Sequence, residues 1–249
     1  MVKKTTNKQM PINYLFPNVV TIIGLCFGMS SIKYALDGRW EVSVALLVIS
    51  AFIDGMDGRL ARMLNASSKF GAELDSLTDF INFGVAPALI LYFWGLNMIP
   101  VKGAGWAVSL LYTVCCAFRL ARFNVNNDLA AKENSSFFPG IPAPCGAGLT
   151  LIPIMLSFEL KVFIFANNPV YLALYIIVIA ILMASQIPTI STKNTHINHK
   201  FIYPALILIT IFIVSLIIEP WIMLPLMGLV YIMTIPISVM MFLANKKSL

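Results

Sequence analysis

The sequence is short of charge: only 11% of its 249 residues are Asp, Glu, Lys or Arg, against roughly 25% in soluble globular domains. With 59% of residues hydrophobic, that scarcity excludes an ordinary water-soluble fold and puts the chain in a bilayer. Cysteine and histidine are also sparse, at four and two residues. Cys26, Cys115, Cys116 and Cys145 all lie in apolar stretches, where a free thiol acts as a small hydrophobe, so neither a disulfide framework nor a zinc site is expected. His196 and His199 stand three apart in a polar loop without an acidic partner and read as solvated loop residues. The first sixteen residues carry Lys3, Lys4 and Lys8 but no apolar segment ahead of a small-residue cleavage site. That excludes a removable signal peptide and leaves the first span as an anchor. There is no internal repeat of about 20 to 50 residues to argue for a repeat-built transporter.

What is present in abundance is long apolar sequence. Runs recur at residues 17–36, 42–63, 76–98, 104–123, 141–158, 169–188, 201–218 and 221–243. A hydrocarbon core about 30 Å thick is crossed by about 20 apolar residues in a helix. The expected fold class is therefore all-α, a polytopic bundle of about eight transmembrane helices. Its expected organisation is a cytoplasmic segment over 1–16, a six-span core over 17–188 and two additional spans over 201–243. Alternating eight spans from a cytoplasmic amino terminus leaves thirteen of the seventeen Lys and Arg inside, with Lys33, Arg39, Lys102 and Lys161 outside. The positive-inside rule then makes both termini cytoplasmic. The net charge of +6 is spread over loop ends, which fits anionic lipid headgroups and excludes a nucleic-acid stripe.

Of only eleven acidic residues, four are Asp54, Asp57, Asp75 and Asp79, within or at the ends of the second and third spans. A carboxylate deep in a bilayer costs about 2.5 to 3.5 kcal/mol on insertion scales, so a group of four needs a partner such as metal, arginine or water. Residues three or four apart share a helix face, which pairs Asp54 with Asp57 and Asp75 with Asp79. A short link over 65–70 brings the two helices together as antiparallel neighbours, carboxylates converging near the cytoplasmic end. Four carboxylates without histidine or thiolate form a hard oxygen set that suits magnesium or manganese. Gly55, Gly58 and Gly71 allow close approach of a helix or a phosphate, and Arg62 carries a donor fork that fits phosphate oxygens. A structural ion-pair seam with Arg59 and Arg62 is the bland alternative, but such a seam has no need of this glycine and aspartate spacing. Glu73 reads as a capping residue at the start of the third helix.

From Asp54 the chain reads D-x-x-D-G-x-x-A-R-x(8)-G-x-x-x-D-x-x-x-D, fixed by Asp54, Asp57, Gly58, Ala61, Arg62, Gly71, Asp75 and Asp79. This resembles the signature of the CDP-alcohol phosphotransferases at every fixed position. The resemblance implies that Asp54, Asp57 and Asp75 hold a pair of Mg2+ or Mn2+ ions against the CDP pyrophosphate. It implies that Asp79 is the catalytic base and also a metal ligand, and that Gly58, Ala61, Arg62 and Gly71 bind the nucleotide. It further implies a homodimer.

Two more segments, Phe118-Arg119-Leu120-Ala121-Arg122-Phe123-Asn124 and Phe138-Pro139-Gly140-Ile141-Pro142-Ala143-Pro144, are similar to the phosphatidylserine synthase subgroup of that family. Pro17-Asn18-Val19-Val20-Thr21 and the run from Gly71 to Leu77 are similar to it as well. The implied reaction makes phosphatidylserine and CMP from CDP-diacylglycerol and L-serine, in phospholipid biosynthesis, at a site facing the cytoplasm in a bacterial inner membrane. Arg119 and Arg122 become candidates for binding the acceptor carboxylate or a phosphate, although positive-inside anchoring explains them nearly as well. The proline-rich segment also reads as a kinked helix entry. Two alternatives remain open on the sequence: the same reaction with glycerol 3-phosphate, inositol phosphate or choline as acceptor, and a membrane cation or proton transporter.

Overall fold

A computed structural model describes residues 15–64, 66, 68–129, 137–159, 168–185, 188–190 and 202–247. Helix α1 (Leu15–Leu36) and helix α2 (Trp40–Met63) form an antiparallel hairpin. The turn between them is set by Gly38, whose φ of 71° lies in the left-handed region. There the Arg39 N–H donates to Tyr34 O and the Gly38 N–H to Ala35 O, the paired bonds that close a helix end. The hairpin is held by small and hydroxyl side chains, as is usual where lipid removes the hydrophobic drive between helices. Ser43 donates to Ser31 O at 2.7 Å and Ser50 to Gly24 O at 2.9 Å.

The next rod runs from Lys69 to Trp94. It comprises α3 (Lys69–Asp79), a π-helical turn (Phe80–Val85) and α4 (Ala86–Trp94). Pro87 explains the irregular middle. It has no N–H for the carbonyl four residues earlier, that of Phe83, and Tyr112 on α5 (Ala104–Leu129) donates to that carbonyl at 2.9 Å. Thr113 donates to the neighbouring Gly84 O at 3.4 Å. Pro153 repeats the arrangement. It leaves Leu149 O without its helical donor where α6 (Ala143–Thr150) breaks from α7 (Ile152–Glu159), and Tyr175 on α8 (Pro169–Ala184) donates there at 2.7 Å. In both places a tyrosine from another helix satisfies a carbonyl that lipid could not.

The chain continues through α9 (Ile202–Ile218) and α10 (Pro220–Lys247), separated at Glu219. Phe83, Ile90, Leu91, Tyr112, Ile154, Leu172, Ile176 and Met183 are among the fully buried side chains at the centre. Leu206, Ile207, Leu208 and Ile211 on α9 are exposed instead, an apolar face suited to acyl chains. Among the described residues three helices, Leu15–Leu36, Lys69–Trp94 and Ala104–Val125, are long and apolar enough to cross a membrane.

Helix dominates as expected, with several differences. The third helix starts at Lys69, seven residues before the apolar run, because Ser68 caps it by accepting from the Gly71 N–H at 3.0 Å. Glu73 is therefore exposed in the second turn and caps nothing. The fourth span does not end at residue 123 but continues to Leu129, and Asn124 inside it donates to Ser76 at 2.9 Å. The fifth is two short helices. The sixth stops at Ala184, and Pro188–Ile190 (β2) instead pairs antiparallel with Phe137–Pro139 (β1), a two-stranded exception to an otherwise helical fold among the described residues. The proline-rich segment divides: its first part is β1 followed by Gly140 at φ 79°, and only its second part is a helix entry, with Pro142 as the N-cap of α6 and Pro144 in the first turn. His196 and His199 lie outside the described residues.

The π turn drives Asn82, with no exposed surface, against α1 at Gly28. A Cβ on Gly28 would lie 1.9 Å from Asn82 Oδ1. Gly28→Ala is expected to cost about 1 to 3 kcal/mol through overpacking, lowering the thermal unfolding midpoint in detergent. Gly28→Ala with Asn82→Ala recovers part of the loss, since Asn82 is the obstacle.

Candidate active site

The four carboxylates come from two elements. Asp54 and Asp57 are one turn apart near the C-terminal end of α2, while Asp75 and Asp79 lie on α3, with Asp79 at its last residue before the π turn. Ligand oxygens of Asp54, Asp57 and Asp75 all fall within 4.8 Å of one another. Asp79 lies against Asp54, so the fourth carboxyl adjoins the triad. Among the described residues no Lys or Arg forms an ion pair with any of the four. Oδ1 of Asp54 and Oδ1 of Asp79 are buried without a hydrogen-bond partner.

That arrangement fits a divalent cation. Like charges this close repel strongly once water is removed. The donors are all oxygen, the set preferred by hard cations, and two buried oxygens still lack a partner. The triad can therefore hold metal. Thr21 on α1 steadies one member of the triad, donating to Asp57 Oδ2 at 2.7 Å, and Asp57 is only 4% exposed. Thr21 has no assigned role in the sequence, where it appears only as the last residue of the Pro17-Asn18-Val19-Val20-Thr21 segment.

The candidate nucleotide residues divide. Gly55 and Gly58 face open space, with nothing within 4 Å of a built Cβ. Ala61 is half-buried, and exposed Arg62 turns back to donate from Nε to Gly58 O at 3.0 Å. Gly71 is different. A Cβ there would lie 2.9 Å from Asn18 Oδ1 and 3.2 Å from Ser68 Oγ, so its smallness lets α1 approach the start of α3.

The arginines divide as well. Arg119 Nε donates to Ile141 O, and its guanidinium carbon is 5.9 Å from the Phe123 ring centroid. This bond joins the two segments that marked the phosphatidylserine synthase likeness, and the Arg119 charge reaches Asp79. Arg122 donates to Ser185 O at 3.2 Å, tying α5 to the end of α8. All four cysteines are free.

Comparison with known proteins adds independent findings. The family profile described as CDP-alcohol phosphatidyltransferase matches residues 14–183, and one described as CDP-alcohol phosphatidyltransferase 2 matches residues 200–236. The chain is 39% identical over 205 residues to the CDP-diacylglycerol–serine O-phosphatidyltransferase of Helicobacter pylori strain 26695, covering 81% of this chain and 84% of the relative. It is 33% identical over 229 residues to the protein of the same name from Mycobacterium leprae, covering 90% and 74%. Among solved structures it is similar in fold to the Mycobacterium tuberculosis phosphatidylinositol phosphate synthase with CDP-DAG bound. The TM-score there is 0.50 at 20% identity, over 67% of this chain and 80% of that one.

Groups that orient a metal ligand typically contribute 10- to 100-fold in affinity. Thr21→Val, which keeps shape but removes the donor to Asp57, is expected to weaken Mn2+ binding about tenfold. Mn2+ titration followed by electron paramagnetic resonance checks this, with Asp57→Asn as the larger loss.

Proposed function

This chain belongs to the CDP-alcohol phosphatidyltransferase family, and we propose that it is an integral membrane enzyme making phosphatidylserine and CMP from CDP-diacylglycerol and L-serine. The observation that carries the proposal is the meeting of Asp54, Asp57 and Asp75 with Asp79 beside them. The names of the relatives supply the serine reading. The transporter alternative gives way to family membership.

Asp54, Asp57 and Asp75 would hold two Mg2+ or Mn2+ ions, with Asp79 as a further ligand. When bound, the ions neutralise charge on the pyrophosphate and its leaving oxygen. The open face at Gly55 and Gly58 gives the cytidine nucleotide room against α2, with Ala61 and Arg62 beside it and Gly71 shaping the far wall. Asp79 accepts the serine hydroxyl proton, because a weakly acidic alcohol needs a positioned base to become a nucleophile. The serine oxygen then bonds to the phosphorus that carries diacylglycerol, while the phosphorus–oxygen bond to CMP breaks and its electron pair leaves with CMP. Arg119, whose charge reaches Asp79, binds the serine carboxylate. A phosphorylated acceptor such as glycerol 3-phosphate would call for more cationic groups there.

The same reading gives a six-span core over 17–188 and two further spans over 201–243, eight in all, with both termini cytoplasmic. The carboxylates then face the cytoplasm across a bacterial inner membrane, and the enzyme works as a homodimer.

Purified protein with CDP-diacylglycerol and a panel of alcohols is expected to release CMP with serine and not with glycerol 3-phosphate, inositol phosphate or choline. CMP release that does not depend on serine contradicts the acceptor assignment. Asp79→Asn is expected to slow serine-dependent release by at least about 100-fold, the lower range for loss of a general base, while leaving the unfolding midpoint within a few degrees. Gly58→Leu fills the open face and is expected to raise the KM for CDP-diacylglycerol with the fold intact.

A further inference from the structure

Tyr231 lies one turn after Gly228 on α10, and Gly228 fixes how closely that helix sits. A Cβ on Gly228 would lie 2.7 Å from Ile152 Cδ1 and 3.0 Å from Leu149 Cδ2, so glycine there lets α10 lie close on α6 and α7. The hydroxyls that follow along α10 are satisfied on their own helix. Thr234 donates to Tyr231 O at 2.7 Å, and buried Ser238 donates to Thr234 O at 2.7 Å. The Tyr231 hydroxyl is different: it is buried and has no hydrogen-bond partner among the described residues. A phenol reaches too far from its own backbone to bond there, and a buried one ordinarily finds its partner elsewhere.

Its surroundings on α2, α6 and α10 supply no acceptor. Tyr231 stands in an apolar wall with Leu47, Val48, Cys145, Leu224 and Met227, and among the described residues it carries the one hydroxyl of that wall. On the α5 side it meets Arg119, which interacts electrostatically with Tyr231, with Cys145 in the first turn of α6 and with Asp79. Arginine carries donors and no acceptor. Among the described residues Arg119 commits only Nε to a hydrogen bond, with Ile141 O just ahead of α6, which leaves the rest of its donor fork for a ligand. Phenol and guanidinium, two donors from different helices, thus lie together without a protein acceptor between them. The group that satisfies both at once is an anionic oxygen.

The proposed reaction offers two such anions, the pyrophosphate of the donor and the carboxylate of the acceptor. The pyrophosphate belongs to Asp54, Asp57 and Asp75 on α2 and α3. The carboxylate of serine is tethered a short way from the hydroxyl that Asp79 deprotonates, and Arg119 is the cation whose charge reaches Asp79. We propose that the Tyr231 hydroxyl donates to the acceptor carboxylate opposite Arg119, making the last helix one wall of the acceptor site. This rests on serine being the acceptor. Arg119 supplies charge, Tyr231 supplies a single directed donor, and the two hold the carboxylate from different sides. An alcohol without a carboxylate leaves both donors unpaired, the kind of cost by which a polar site rejects an analogue lacking the group it is built to bind. The last helix thereby acquires a task in acceptor choice.

Tyr231→Phe removes the hydroxyl and keeps the packing of the ring. In CMP release by the full-length protein, the variant is expected to raise the KM for L-serine about tenfold, the lower range for a hydrogen bond to a charged group. Its kcat and its KM for CDP-diacylglycerol are expected to stay within about twofold, the pattern of a lost binding contact. A raised KM for CDP-diacylglycerol with that for serine unchanged assigns the hydroxyl to the donor phosphate and overturns the proposal. A fall in kcat with both KM values unchanged overturns it, and so does a variant that behaves as the wild type. Equilibrium dialysis of labelled L-serine needs no turnover: the variant is expected to bind about tenfold more weakly, and equal binding overturns the proposal. Wild-type protein that neither binds serine nor releases CMP in its presence counts against the proposed function, and the role of Tyr231 falls with it.

Discussion

Carboxyl oxygens of Asp54, Asp57 and Asp75 crowd within 4.8 Å of one another, with Asp79 against Asp54, and nothing cationic among the described side chains pairs with them. In water such repulsion would be slight; inside a helical bundle it is several-fold larger. A cation drawn from solution, bringing opposite charge to several oxygens at once, turns this arrangement from a liability into a site. The same demand explains why the cluster spans two helices. One face of one helix can offer two carboxylates, whereas a hard cation asks for more.

The remainder of the fold serves to hold those two helices in register. Thr21 fixes Asp57 from α1, and the α1–α2 hairpin that positions Thr21 is itself pinned by Ser43 and Ser50. Asp79 owes its place to the π turn that begins immediately after it, a turn tied to Pro87 and stabilised by Tyr112 and Thr113. Arg119 is steadied by the Ile141 carbonyl, beyond the left-handed turn at Gly140. A Cβ at Gly140 would lie 2.6 Å from Ser185 O, so glycine is required there on two counts.

Much of this was legible in the sequence, for identifiable reasons. Burying carboxylates is costly, so Asp54, Asp57, Asp75 and Asp79 stood out against their apolar surroundings, and their three- and four-residue spacing gave the convergent faces that MgII-like or MnII-like cations require. What was hidden depended on contacts distant in the chain. Neither Tyr112 with Phe83 O nor Tyr175 with Leu149 O leaves a local pattern, so the π turn and the broken fifth helix were read as plain spans. The polar run from Asn124 looked like a loop because its partner, Ser76, is 48 residues away. Gly71 matched the signature as a nucleotide residue, yet its immediate surroundings, Asn18 and Ser68, show a packing reason for its size. The β1–β2 pairing joins segments some fifty residues apart that are each too short to signal a strand.

The central claim is that these aspartates assemble around divalent metal to receive a nucleotide pyrophosphate. Anomalous diffraction from crystals of the protein soaked with Mn2+ and a cytidine nucleotide tests it most directly. The account predicts manganese peaks enclosed by Asp54, Asp57 and Asp75 and within reach of Asp79, with the nucleotide phosphates on their open side. Manganese ordered elsewhere, or an aspartate cluster that stays free of metal while the nucleotide is bound, would contradict it.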